Sequence, residues 1–432
     1  MILLWRKFTN VSNSSKYSEE LKIRIESSCC HIIENFNSHI HPFTHSSIPY
    51  PLTLLSMENI VINEVTSCAQ LRKFIKFPNR LFKDVPTYIP PLMSDERALL
   101  TSKNPSLDHC DLQLWLAYRG NEVVGRVAGI INHSVNERWN KKAVRFGWFD
   151  FVEDYDVFTK LLNTVIAWGK GKGMDQVEGP FGFTDMDKEC WVIEGFDKRQ
   201  NISTLYNPKY YIDFVERAGF EITCQWAQYQ IPASQPVPDK VARINELILQ
   251  KYQLRLLKFK TRKEVYPYAR KFFLAINAAF KDLYDFVPLT DKEIDVYIKE
   301  YFPFINLEFA NFVVDKDDNL VAFGLSIPDL NEAYKKANGH LFPFGWYHIL
   351  KALRKFKDID ALLNGVHPDW QKRGVHSIYY AEMNKNAIKY NLRWAYSNPQ
   401  IIGNEAQRIW ETTYQSTPMI RRAVFRKSIL NS

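Results

Sequence analysis

No apolar run in this 432-residue chain approaches the roughly 20 residues that a membrane-spanning helix needs, so no helical span and no membrane partner are expected. No Cys-x-x-Cys pair occurs. The six cysteines (Cys29, Cys30, Cys68, Cys110, Cys190 and Cys224) are scattered, and the adjacent pair is too close to bridge comfortably, which disfavours zinc, any other metal centre and a disulfide framework. The opening MILLWRKF is too short in its apolar part for a secretion signal. Together these absences describe a reduced, cytoplasmic protein. There is also no Lys/Arg-dense run with interleaved aromatics, so nucleic acid is not an expected partner.

What is present is the composition of a globular protein of two or three domains, 46% hydrophobic, 24% charged and 14% aromatic. The net charge of +8 fits either a solvated surface with a small cationic excess or a polyanionic ligand such as a nucleotide cofactor. Residues 1–57 lack sustained periodicity and read as a disordered or loosely packed arm, and Met57, which opens the strand-like MENIVINEV, reads as an alternative start of the protein. From residue 58 the pattern is mixed α/β. The helix CAQLRKFIKFPNRLF is followed by a hairpin around Arg119-Gly120-Asn121. Next come the strand RFGWFDF, a helix with Phe158, Leu161, Leu162 and Val165 at helical spacing, the strand QVEGPFGF, and the helix YYIDFVERAGF.

The Pro-rich IPASQPVPDK and the helix after it form a linker over 232–253. The block 254–432 then repeats the element order of 58–231: strand, helix, a hairpin around Asp317-Asp318-Asn319, strand, helix, strand, helix and a closing strand RRAVFRKSI. An inserted helical stretch, Phe344 to Phe356, carries the aromatic-rich HLFPFGWYHIL, which fits either an acyl tunnel wall or a packed helix start.

The fourth strand of the second block, ALLNGV, runs into His367-Pro368 and then Gln371-Lys372-Arg373-Gly374-Val375-His376-Ser377 before a helix. A helix start exposes backbone N–H groups that attract anions, and a glycine lets them approach closely. One cation about 4 Å from a phosphate oxygen contributes roughly 4 kcal/mol at an effective dielectric near 20, against about 0.3–1 kcal/mol from the helix dipole, so Lys372 and Arg373 would dominate. Ser377 is placed to cap the helix or reach a phosphate. The plain alternative is a surface turn with solvated cations.

This loop and its setting resemble the GCN5-related N-acetyltransferase superfamily, whose Gln/Arg-x-x-Gly-x-Gly/Ala loop holds the pyrophosphate of acetyl-CoA. The chain departs from that pattern at His376, where a small residue is usual. The resemblance implies an α/β (α+β) fold of two tandem acyl-CoA N-acyltransferase-like domains, each a mixed, mostly antiparallel sheet flanked by helices. It implies acetyl-CoA, or another acyl-CoA, as co-substrate, held by Val366, Gln371, Lys372, Arg373, Gly374, Val375, His376 and Ser377. In the first block the equivalent stretch FDFVEDYDVFTKLL has no glycine and places Glu153, Asp154 and Asp156 before the helix, where they would repel a pyrophosphate. That block is expected to be degenerate. The stretch GPFGFTDMDKECWVIEGFD is similar to a bacterial family of tandem acyltransferase-like proteins.

By the same resemblance the protein would transfer an acyl group to a small-molecule or peptide amine. His367 is a candidate base, or only a turn histidine. Tyr414 is a candidate acid for the leaving thiolate, or a packed tyrosine; Trp410 stands near where the superfamily often has its tyrosine. Asn404 would bond the pantetheine arm or merely cap a helix. Asp185, Asp187 and Glu189 would receive a cationic amine, or form a solvated loop. The other reading is a catalytically inactive CoA-binding or interaction protein on a degenerate tandem scaffold.

Overall fold

The computed structural model describes residues 59–234, 239–412 and 416–430. The arm expected over residues 1–57, part of the Pro-rich joint (235–238) and Tyr414 lie outside them.

In chain order the first half carries β1 (Ile60–Glu64), α1 (Cys68–Leu81), α2 (Met93–Leu99), β2 (Cys110–Arg119), β3 (Glu122–Asn132), α3 (His133–Arg138), β4 (Ala143–Phe151), α4 (Tyr155–Gly171), β5 (Gln176–Gly179), β6 (Trp191–Glu194), α5 (Tyr210–Arg217) and β7 (Glu221–Pro232). The second half carries α6 (Asp239–Lys251), β8 (Arg255–Leu256), α7 (Arg262–Ala279), α8 (Asp291–Tyr301), β9 (Ala310–Val314), β10 (Leu320–Pro328), α9 (Asn331–Ala337), α10 (Gly345–Arg354), β11 (Asp358–Val366), α11 (His376–Lys389), β12 (Trp394–Ser397), β13 (Gln400–Ile401), α12 (Glu405–Thr412) and β14 (Pro418–Ser428).

Local chemistry accounts for several boundaries. Ser67 and Gln70 form a reciprocal capping box that starts α1. Gly120, at a φ of 56°, makes the tight turn between β2 and β3, with Arg119 opposite Glu122. Asp315 accepts the amides of Asp317 and Asn319 and so closes the second hairpin. In α11 the buried face is Ile378, Tyr379, Tyr380, Asn386 and Ala387, while Tyr390 is exposed.

One continuous sheet runs β1-β2-β3-β4-β5-β14-β7-β12-β11-β10-β9-β8. Its pairs are antiparallel except β4–β5 and β11–β12. Two strands cross between the halves. β7, from the first half of the chain, lies beside β12 of the second. β14, the closing strand of the chain, lies between β5 and β7 and also bonds β6. Arg422 on β14 anchors this crossing. It is fully buried, and its guanidinium donates to Gln228 (2.7 Å), to the Leu205 carbonyl (2.8 Å) and to Gln200. Side chains of the two halves are therefore welded through shared strands rather than merely docked.

Candidate functional site

The two parallel strand pairs mark equivalent places in the halves, and they differ. β11 and β12 run side by side from Asp358/Trp394 to Ala361/Ser397 and then part. Beyond that point β11 pairs only with β10, while the other strand turns across β7 through β13. The walls are buried up to the fork over 358–361 and 395–397; from Leu362 to His367 on one side and from Asn398 to Ile401 on the other they are half-buried. The parted strands thus leave a cleft. A bulge sits at its crotch, because Leu325 faces Leu363 and Ser326 faces Ala361, leaving Leu362 with no opposite residue on β10. Asn398 pins the crotch: its amide donates to the Ala361 carbonyl (3.0 Å), its side-chain NH2 to the Leu362 carbonyl (3.0 Å), and its oxygen accepts from Asn201 (3.0 Å).

The loop from β11 to α11 lies at the outer end of this cleft. Lys372 and Gly374 are both left-handed, at φ of 60° and 76°. Gly374 is followed by right-handed Val375, an alternation that turns successive amides toward one side, as anion-binding nests do. Among the described residues, the amides of Arg373, Gly374 and Val375 donate to no protein group. Ser377 is not the cap: its hydroxyl donates to the Gly374 carbonyl (2.7 Å) and pairs with Asn245 of α6. Gln371, Lys372 and Arg373 are exposed, and the Arg373 guanidinium rests over the rings of Trp370 and Tyr252. A Cβ on Gly374 would come within 2.9 Å of an Ile248 methyl. An uncapped helix start, a glycine nest and two solvent-facing cations fit a diphosphate.

In the first half the same fork is shut. β4 and β5 part after Arg145/Glu178, and β4 has its own bulge at left-handed Trp148. The chain then folds into the gap: the Phe181 amide donates to the Phe146 carbonyl (3.0 Å), and Phe181 and Phe183 are buried. The Phe181 carbonyl stands where a Cβ on Gly147 would be. At the start of α4 the Asp154 carboxylate already accepts the amides of Asp156 and Val157 and pairs with Arg119. An internal anion thus occupies the place of an external one.

The segment that fills the first fork continues into Thr184–Glu189, and this acidic loop faces the second half. The Thr184 hydroxyl lies 3.2 Å from the Tyr297 hydroxyl of α8. Met186 packs into the core of α7 and α8, which also receives Leu363 of β11. Phe181 and Cys190 pack with Trp226, Tyr284 and Ile401. Ala361 and Val366, in contrast, face the α11 core. The loop thus lies on the face of the sheet opposite α11, between α8 and the far wall of the open cleft.

Asp185, Asp187 and Glu189 keep some access to solvent yet are enclosed by protein, as side chains lining a recess are. Burial, reinforced by Asp285 and Asp187, raises Asp185 to about 6; burial also raises Asp187 to about 6, against amide bonds that lower it. Glu189 is pushed well above the usual carboxylate range by burial and by Asp185. Asp187 is committed to the loop itself, accepting the Phe183 and Thr184 amides at 2.8 and 3.1 Å. Asp185 and Glu189 accept no hydrogen bond among the described residues.

Because the folded state holds these protons more tightly than the unfolded one, the acids favour folding at low pH. That contribution is lost as pH rises from the usual 3.8 through about 6. Asp185→Asn is therefore expected to raise the thermal midpoint above pH 6 and to leave it unchanged below 3.8, read by melts across that range.

The structure brings Val366, Gln371, Lys372, Arg373, Gly374, Val375, His376 and Ser377 together at one end of the cleft. It places other candidates differently. His367 follows the last residue of β11, five positions past the bulge, roughly 16 Å along the strand and at the loop end of the cleft rather than beside the bulge. Its Nδ1 faces the Asp369 amide at 3.4 Å, capping a short turn. The Asn404 oxygen accepts the Gln407 amide (2.8 Å) and caps α12, so only its NH2 is left for a ligand. Trp410 is buried and stacks on Tyr229. Phe342, Phe344 and Tyr347 are 49%, 70% and 50% exposed, so the aromatic insertion lines no tunnel. A cavity of about 540 Å³ lined by Trp139, Lys141, Tyr284, Asp285 and Arg426 contains none of the expected residues; Lys141 is held there by ion pairs to Glu178 and Asp285. The crotch residues Leu362, Asn398 and Asn201 were missed. The only sequence signal for them was Asn398-Pro399, a turn after a strand.

No protein-family model matches the chain. It is 27% identical over 313 residues to Protein YghO of Escherichia coli (strain K12), covering 70% of this chain and 78% of that protein. It is 24% identical over 385 residues to a bacterial ceramide synthase of Caulobacter vibrioides, covering 83% and 96%. Among solved structures it is similar to a tandem GNAT protein from the clavulanic acid biosynthesis pathway, at a TM-score of 0.51 and 8% identity, covering 86% of this chain and 98% of that one. It is also similar to a GCN5-related glucosamine N-acetyltransferase region of a fungal multi-domain β-N-acetylglucosaminidase, at 0.52 and 10%, covering 88% and 40%. With one fork open, one closed and both halves sharing a sheet, the chain has the tandem fold of the GCN5-related N-acetyltransferases.

Proposed function

We propose that the protein is an acyl-CoA-dependent N-acyltransferase that binds its acyl donor in the second half only. The observation that carries this reading is the contrast between the forks: one is open and ends in a loop with undonated amides, while the other is filled and capped by Asp154. Lys372, Arg373 and the Gly374–Val375 nest would hold the diphosphate, and the pantetheine would run between the parted strands toward the Leu362 bulge. A backbone N–H beside that bulge would bond the thioester oxygen as charge develops on it.

The acceptor would approach from the acidic loop. Asp185 and Glu189 would hold its ammonium form and take a proton from it. The neutral amine then attacks the thioester carbon: the C–N bond forms, the C–S bond breaks, the amine's remaining extra proton goes to a carboxylate or water, and the thiolate is protonated. Tyr414 is kept as the proposed acid for that last step.

A base contributes about 10²–10⁴-fold. Asp185→Asn combined with Glu189→Gln is therefore expected to lower kcat/KM at least about a hundredfold, with the acetyl-CoA-induced thermal shift intact. The wild-type kcat/KM should rise with pH through about 6 as Asp185 loses its proton. Release of free thiol from acetyl-CoA with a panel of amines is the direct assay. Thermal stabilisation by acetyl-CoA without thiol release from any of them would favour the inactive CoA-binding reading.

A second reading of the acceptor rests on the Caulobacter relative. A ceramide is an N-acylated long-chain amino alcohol, and that relative is matched over 96% of its length. Long-chain amino alcohols, with long-chain acyl-CoA donors, therefore belong in the panel.

A further inference from the structure

From Ala333 to Lys357 the chain has no acidic residue but six Lys/Arg: Lys335, Lys336, Lys351, Arg354, Lys355 and Lys357. This is the stretch whose aromatics the acyl-transfer site leaves unused. The helix α10 buries Gly345 and Ile349 against the protein. Its opposite side and its approach put Phe342, Phe344 and Tyr347 into solvent, Phe344 most of all at 70%. Large apolar rings exposed together, rimmed by charge, mark a surface that another apolar surface covers.

The charges around the rings say what that cover is. Tyr347, Lys351 and Lys355 follow one another at four-residue spacing, along one side of the helix and its end. Lys351, Arg354, Lys355 and Lys357 are exposed, as is Lys336 on the neighbouring α9. Among the described residues none of these five makes an ion pair. Rings leading and unpaired cations behind them are the arrangement of a helix that lies in the headgroup region of a bilayer. The rings sit at the acyl boundary, and the cations meet anionic headgroups.

We propose that Phe342–Lys357 is a peripheral docking surface for an anionic lipid bilayer. This is association from one side and needs no membrane-crossing helix, and none long and apolar enough is found among the described residues. A nucleic acid would also welcome cations and rings, but it would leave Phe344 and the Phe342-Pro343 apolar surface in water, whereas a bilayer covers them. The inference stands on the surface alone and does not depend on the acyl-transfer reading.

The test is cosedimentation of the full chain with vesicles of phosphatidylcholine, and of phosphatidylcholine mixed with phosphatidylglycerol, at low and high salt. Each interfacial cation contributes about fivefold to partitioning. The wild type is expected to sediment with the mixed vesicles, to be released by salt, and to bind the neutral vesicles weakly. Lys351→Glu/Lys355→Glu should lower the partition coefficient more than about twentyfold. Phe344→Ser/Tyr347→Ser should lower it in vesicles without altering the thermal melt, since both positions are exposed. Wild-type protein that stays in the supernatant would overturn the proposal, as would sedimentation that neither pair of substitutions weakens. RNA that binds this patch and leaves vesicle binding absent would assign the surface to nucleic acid instead.

Discussion

Gly374→Asp is expected to abolish stabilisation of the protein by acetyl-CoA. At a hundredfold excess over its dissociation constant a ligand stabilises the native state by about 2.7 kcal/mol, so the wild-type melting midpoint should rise by several degrees. In the variant three effects combine. The residue is left-handed, which costs a side-chain-bearing residue about 1–2 kcal/mol. The new Cβ meets the Ile248 methyl at 2.9 Å, a flexible contact that can yield. The carboxylate places a negative charge beside the diphosphate, a repulsion of roughly 4 kcal/mol at 4 Å and an effective dielectric near 20. The last exceeds the whole gain from the ligand, so the shift should vanish while the unliganded protein melts only modestly lower. Gly374→Ala carries the strain without the charge and should keep part of the shift. A full shift in Gly374→Asp would mean that this loop does not hold the donor.

The second large effect concerns the shared strands. Expressed separately, 58–231 and 254–432 are expected to be insoluble, or to fold only when produced together. The first piece keeps β7, whose partner strand β12 is on the other piece, and lacks β14, which should bond β5, β6 and β7. The second piece lacks β7, so β12 becomes an open edge, and carries Arg422 with no Gln228, Gln200 or Leu205 carbonyl to satisfy it. Both pieces are left with open sheet edges and uncovered apolar faces, against a net stability of only about 5–15 kcal/mol for a whole domain. Size-exclusion chromatography and circular dichroism of the single and co-produced pieces decide the matter. Two monomeric, cooperatively melting halves would contradict the crossed arrangement.

The order of strands and helices was legible because it rests on local signals. Ser67 with Gln70, Gly120 between two apolar runs, and Asp315 in its turn each act within a few residues. The 371–377 loop was legible for the same reason: glycine, cations and a helix start are contiguous. So was the difference between the halves, since Asp154 stands where the first loop would need an amide left free. Less visible was how far each candidate lies from the others. His367 is next to the fourth strand in sequence, yet the parting of β11 and β12 at Ala361/Ser397 leaves it at the loop end of the cleft, away from the bulge.

By itself the sequence determined the mixed α/β class and the doubled element order, and it singled out the 371–377 loop, because hydrophobic period, turn chemistry and charge are properties of neighbouring residues. Only the tertiary structure decided that the first fork is filled by Phe181 and Phe183, that the Thr184–Glu189 loop packs against α8 of the second half, and that β7 and β14 cross between the halves. Those outcomes depend on contacts between residues up to more than two hundred positions apart, such as Arg422 with Gln200. Strand pairing of that range leaves no period in the chain, since any apolar strand satisfies the same local pattern whichever sheet edge it joins.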